Sequence, residues 1–154
     1  NPVAPQTGAK TLLLITDEDC GITGADIAGF DVVAVVGLTQ SHLRHASPDV
    51  AAFEAEAIRD CANRLGLTAE MVKARDPKLL AQMATRLGAV QLATPYIPQG
   101  PLFDWITEAR RPLEAANIAF AEWCDPWDQR IWPNATAGFF KVKQKIPQLI
   151  AALD

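Results

Sequence analysis

Residues 32–66 read VVAVVGLTQSHLRHASPDVAAFEAEAIRDCANRLG, and this stretch decides the fold class. Val32 to Leu38 is a continuous apolar run rich in valine, the pattern of a strand buried on both faces of a sheet. Ser47-Pro48-Asp49 then supplies a capping hydroxyl, a proline suited to the first helical position and an acid for the first turn. Beyond it Val50, Phe53, Ala57, Ile58, Cys61 and Leu65 recur at three- and four-residue steps. That spacing predicts one apolar stripe on a helix from about Pro48 to Leu65, with Gly66 as its left-handed terminator.

The same alternation extends in both directions. Upstream, Leu12 to Thr16 (LLLIT) reads as another buried strand and ends in the acidic loop Asp17-Glu18-Asp19. Downstream, Glu70 to Ala74 (EMVKA) predicts a strand, and Asp76-Pro77 opens a helix whose apolar face is Leu79, Leu80, Met83, Ala84 and Leu87, ended by Gly88. Ala89 to Ala93 (AVQLA) is the next strand. Pro101 starts a helix through Trp105 and Ile106, which Pro112 is expected to kink or split, and Ile118 to Trp123 (IAFAEW) is the last strand. In the tail, Phe139 to Leu153, Pro147 follows the basic stretch KVKQK, which predicts a loop and then a short amphipathic helix. The expected fold is α/β: a doubly wound, Rossmann-like, parallel five-stranded sheet with helices on both faces. Residues 1–10 (NPVAPQTGAK) read as a linker and 11–154 as a single α/β domain excised from a longer protein.

Composition narrows the function. At 154 residues, 49% apolar and 21% charged, the chain is long enough to bury a core without staples, which excludes disordered, collagen-like and disulfide-scaffold classes. A net charge of −4 argues against a dedicated nucleic-acid binder. No apolar run reaches the ~18 residues of a membrane span, and no basic-then-apolar leader opens the chain. Cys20, Cys61 and Cys124 are an odd set without a CxxC pair, as expected of reduced thiols in a cytoplasmic protein with no membrane partner.

Phosphate-binding GxGxxG and GxxxxGK[ST] loops and the GxSxG elbow are absent, and no nucleophile, base and orienting acid stand at matching positions, so no catalytic residue is assigned. His42 and His45 form an HxxH without further ligands at paired spacing, and no metal site is expected. Ligands of an open parallel sheet bind beyond the carboxyl ends of the strands. Two loops fit that place: Thr16-Asp17-Glu18-Asp19, followed by Gly21-Ile22-Thr23-Gly24, and the stiff loop Thr94-Pro95-Tyr96-Ile97-Pro98-Gln99-Gly100-Pro101. Thr16, Asp17, Thr94 and Tyr96 are therefore the candidate cofactor-binding residues. Against this, the first loop also reads as a solvated acidic turn and the second as a structural connector. A stand-alone module binding a nucleotide- or pterin-like molecule is the alternative function. Finally, Trp123, Trp127, Trp132, Phe139 and Phe140 crowd the end of the chain among Asp125, Asp128, Arg130, Lys141, Lys143 and Lys145. Such rings stack bases or a flavin, or dock one domain on another, and docking is the preferred reading.

The order of elements, with the phrases VKARDPKLLAQMATRLGAVQLATPYIP and GFFKVKQKIPQLI, resembles the α/β domain of the photolyase and cryptochrome family. More specifically, TPYIPQGP and WDQRIWPNATAGFFKVKQKIP resemble the C-terminal region of bacterial photolyase-related FAD-binding proteins, the deoxyribodipyrimidine photolyase-like group. The resemblance implies a domain without catalysis of its own inside a lyase of light-dependent DNA repair or a blue-light sensor. Its partner would be a helical FAD domain of the same chain, with DNA reached only through that parent. Trp127, Trp132, Phe139 and Phe140 are the expected interdomain docking residues. FAD belongs to the parent, and the resemblance implies that the α/β domain either holds an antenna folate or deazaflavin or merely completes the fold. Here Asp17-Glu18-Asp19-Cys20 replaces the Arg-rich phrase that follows the first strand in ordinary photolyases.

Overall fold

A computed structural model of the chain describes residues 3–40 and 46–152. Five strands, β1 (Lys10–Thr16), β2 (Asp31–Thr39), β3 (Ala69–Lys73), β4 (Gln91–Pro95) and β5 (Ala119–Trp123), form one sheet in the order β3-β2-β1-β4-β5. Every pairing is parallel. The crossovers run through α1 (Gly24–Ile27), α2 (Pro48–Arg64), α3 (Leu79–Leu87) and α4 (Pro101–Ala115).

Alternation along β1 sorts the core into two layers. Leu12 and Leu14 pack with Leu80, Met83 and Ala84 of α3 and with Leu102, Ile106, Ala109 and Leu113 of α4. Leu13 and Ile15 point the other way, toward Ile58, Cys61 and Ala62 of α2 and toward Ile22 and Ile27 around α1. Both faces are thus covered, which is why β1 and β2 read as continuous apolar runs. The chain adopts the doubly wound, Rossmann-like α/β fold that its alternation of elements predicted. Gly37 in β2 shows how close the second layer sits: a Cβ there would lie 2.6 Å from both the Ile58 Cγ2 and the Met71 Sδ.

Local chemistry sets most boundaries. The Ser47 hydroxyl accepts from the Val50 N–H at 3.4 Å to cap α2, and Gly66 and Gly88 take φ of +72° and +67° behind α2 and α3. Core burial in α2 is confined to Ile58, Cys61 and Ala62, so Val50 and Phe53, which the periodicity placed on the core stripe, are exposed. The third helix starts at Leu79 instead of at Pro77, because Asp76 makes a preceding turn: its Oδ1 accepts from the Lys78 N–H and its carbonyl from the Leu79 N–H. Pro112 neither ends nor splits α4. It lies near the helix end, where its missing N–H costs one bond to the Glu108 carbonyl, and buried Leu113 anchors the remaining turn.

Residues 3–9, read from composition as linker, are bonded to the sheet, and Lys10 already belongs to β1. The Glu122 N–H donates to the Val3 carbonyl at 2.9 Å, and the Gly8 N–H to the Gly29 carbonyl at 2.7 Å. The buried Gln91 amide ties three groups together: its Oε1 accepts from the Gln6 N–H, and its Nε2 donates to the Gln6 carbonyl and the Thr11 hydroxyl.

The chain divides after Trp123 into two compact units, where the sequence suggested one domain over 11–154. The second unit contains α5 (Pro126–Ile131), a 3-10 turn at Trp132–Asn134 and α6 (Phe139–Ala151). Asp125 caps α5 by accepting from the Trp127 N–H at 2.7 Å. Gly138, at φ +80°, turns the chain directly into α6, so no loop follows Phe139 and Pro147 is carried inside the helix.

Candidate functional site

The strand order places a switch point at the centre of the sheet. β1 and β4 are hydrogen-bonded neighbours, yet β1 leaves toward α1 on one face and β4 toward α4 on the other. Diverging connections open a crevice beyond their carboxyl ends, the usual ligand position of this architecture. The two loops singled out from sequence are the connections that follow these two strands. Leu12 faces Leu92 across the pair and both join the α3/α4 layer, so the period of two puts the Thr16 and Thr94 side chains on that same face.

Thr16 and Thr94 are buried, Thr94 to 1% exposure, and the Thr94 Oγ1 has no hydrogen-bond partner among the described residues. Such an orphan costs roughly 1–3 kcal/mol unless something satisfies it. Asp17 and Tyr96 are half-buried at the loop starts, and Glu18 and Asp19 are exposed. Asp19 shapes its own turn, since its Oδ1 accepts from the Gly21 N–H at 2.8 Å and its N–H donates to the Thr16 carbonyl at 3.4 Å. The Cys20 Sγ–H donates to that same carbonyl at 3.3 Å. Burial, then the neighbouring Cys61 and the Asp17 and Asp19 carboxylates, pushes the Cys20 thiol up to about 11. Cys20 is therefore held as the thiol near neutrality, away from the thiolate form that attacks or ligates. Cys61 and Cys124 are also raised, chiefly by burial.

The loop after β4 rests on a residue that no sequence motif singled out. Glu122 of β5 is 5% exposed, pairs with Thr94 in register, and anchors the β4–α4 loop. Its Oε1 accepts from the Ile97 N–H at 3.1 Å and its Oε2 from the Arg110 Nη2 at 2.8 Å. The Arg110 guanidinium lies 4.3 Å over the Phe120 ring. The Tyr96 N–H completes the anchoring by donating to the Trp123 carbonyl at 2.7 Å. A single acid inside the apolar strand IAFAEW was the available signal, because an unpaired carboxylate would not be tolerated there.

Among the described residues no three His, Cys, Asp or Glu side chains converge as metal ligands. His42 and His45 lie outside the described residues. No helix among the described residues is long and apolar enough to cross a membrane.

The predicted docking residues all fall in the second unit. Trp127 and Trp132 are each 44% exposed, Phe139 is 65% and Phe140 74%, and the two phenylalanine rings meet edge to face at 5.8 Å. No described residue of 124–152 is buried, although the stretch also carries Ile131, Val142, Ile146, Leu149 and Ile150. No protein-family model and no curated protein matches the chain.

Proposed function

We propose that this chain is a non-catalytic α/β domain of a photolyase-related flavoprotein and docks on a helical FAD-binding domain through residues 124–152. The observation that carries the reading is the apolar surface of this stretch: four large rings are 44–74% exposed in a unit none of whose described residues is buried. Exposed Trp and Phe in that density mark a surface meant to be covered by protein. The motif resemblance supplies the class of partner, and light-dependent repair or blue-light sensing by the parent follows from it alone. Trp127 and Trp132 are the anchors. Trp132→Ala is expected to weaken association with the FAD domain by ~2 kcal/mol or more while leaving the melting temperature of the isolated chain unchanged. Unchanged association would remove Trp132 from the interface, and a lowered melting temperature would make it a packing residue.

A second reading has its own observation, the partnerless buried Thr94 hydroxyl at the switch point. On this reading Thr16, Asp17, Thr94 and Tyr96 hold a small nucleotide- or pterin-like molecule. Asp17, Glu18 and Asp19 at the mouth repel phosphate, so the ring or ribose end of such a ligand suits the crevice, with its N–H or O–H donors toward Asp17. An antenna folate or deazaflavin fits the residues present only through its heterocycle, not through an anionic tail. Calorimetric titration with FAD, folate and ATP tests this reading. Saturable heat that Thr94→Val abolishes supports it, and no heat from any of the three removes it.

A further inference from the structure

Residues 129–153 carry Arg130, Lys141, Lys143 and Lys145 and no aspartate or glutamate, in a chain whose net charge is −4. The apolar stretch assigned above to docking is therefore also the basic end of the sequence. The three lysines all lie on α6, at positions that are not equivalent.

Residues three and four apart are neighbours on a helix face, and Phe139, Lys143, Ile146 and Ile150 follow that spacing. One stripe of α6 thus holds three apolar side chains and a lysine, all exposed. Phe140, three residues before Lys143, is exposed on its other flank. Val142 and Leu149, on an adjacent stripe, are the half-buried residues of α6, whose neighbours in its unit are α5 and the 3-10 turn. Lys141 and Lys145, four apart, lie on the side of the helix opposite Phe139 and Lys143. Lys143 alone is a charge set inside an apolar surface.

That position constrains what covers the stripe. None of the ion pairs among the described residues includes Lys143. A neutral apolar surface laid over Phe139, Phe140, Ile146 and Ile150 would take its ammonium out of water unpaired, at a cost above the gain from burying one aliphatic side chain. A carboxylate opposite the ammonium removes that cost. We infer that the surface receiving α6 is an apolar groove with an aspartate or glutamate placed to meet Lys143. The inference rests on the docking reading above and adds the chemistry of the partner surface. Lys141 and Lys145, away from the stripe, act on encounter through longer-range attraction and not in the contact.

Calorimetric titration of the full-length chain with the helical FAD domain of the parent tests this. Lys143→Met keeps the aliphatic stem and removes the charge, so it is expected to weaken association about tenfold or more by leaving the partner's carboxylate buried alone. Lys141→Met and Lys145→Met are expected to change the affinity less than about threefold, and all three variants to keep the melting temperature. Association that Trp132→Ala weakens but Lys143→Met leaves unchanged or tightens would overturn the acidic groove and leave the docking reading intact. No association of the unaltered chain would remove both. Binding to phosphatidylserine vesicles in place of the FAD domain would overturn the inference in favour of a lipid surface.

Discussion

Glu122 is the single side chain on which the geometry of the candidate crevice most depends. Its carboxylate is nearly buried while Arg110 is one-third exposed, so removing the charge strands little on the arginine but loses the bond to the loop at Ile97. Breaking a buried pair costs about 3–5 kcal/mol, and the exposure of Arg110 moves the expectation to the lower end. Glu122→Ala is expected to destabilise the chain by about 2–3 kcal/mol in urea unfolding and to speed amide exchange at Ile97. A loss below about 0.5 kcal/mol would show that the loop is held by other contacts. Cysteine titration gives a second test at this scale. A thiol raised in the folded state stays protonated while its unfolded counterpart ionises, so folding stability is intact below about pH 9. It then falls as pH rises from about 9 toward about 11. Cys20→Ala should flatten that part of a stability-against-pH curve, and an unaltered slope would mean that Cys20 ionises normally. Sequence showed Thr16, Asp17, Thr94 and Tyr96 as loop residues by position alone. It did not show Glu122 as their support, because a contact between β5 and the loop after β4 is a product of topology.

At the scale of elements, α2, α3 and α4 were legible from their own chemistry, whereas the short α1, Gly24–Ile27, was not. Ser47-Pro48 and Gly66 bracket α2, and Gly88 closes α3, because capping is decided within a few residues. Burial was less legible: the stripe through Val50 and Phe53 has correct helical spacing, but only the C-terminal half of α2 buries residues in the core. Periodicity reports which residues share a face and not how far that face is covered. Prolines misled for a related reason, since Pro112 and Pro147 remain inside helices whose neighbouring turns hold them. Two substitutions follow. Gly37→Ala places a methyl 2.6 Å from Ile58 and Met71, and the overpacking is expected to cost about 1–3 kcal/mol. A neutral effect would mean that the α2 layer yields easily. Pro112→Ala restores a helical donor to the Glu108 carbonyl and is expected to raise stability by about 1 kcal/mol. A decrease in thermal stability would contradict the view that this proline is a strain in α4.

At the scale of the whole molecule, both core layers draw only on residues before Cys124, whereas 124–152 carries exposed rings and buries nothing. The fold class was legible in the sequence because a doubly wound sheet is written twice, once in buried strands and once in capped helices. The division after Trp123 was not legible, since the tail has the same apolar richness as the rest and differs only in having no layer to join. Truncation after Trp123 is therefore expected to keep cooperative unfolding, with a stability change below about 1 kcal/mol, and to abolish docking on the FAD domain. Loss of cooperative unfolding would show that the tail completes the core. The central claim, that this chain works as one domain of a larger flavoprotein, meets its most direct test in the native gene product. An antibody raised against the chain, applied to the source cells by immunoblot and immunoprecipitation, measures both its size and its flavin absorbance. The account predicts a band several times larger than 16.7 kDa whose precipitate carries a flavin spectrum. A flavin-free band near 16.7 kDa would contradict it and leave the crevice at the switch point as the seat of function.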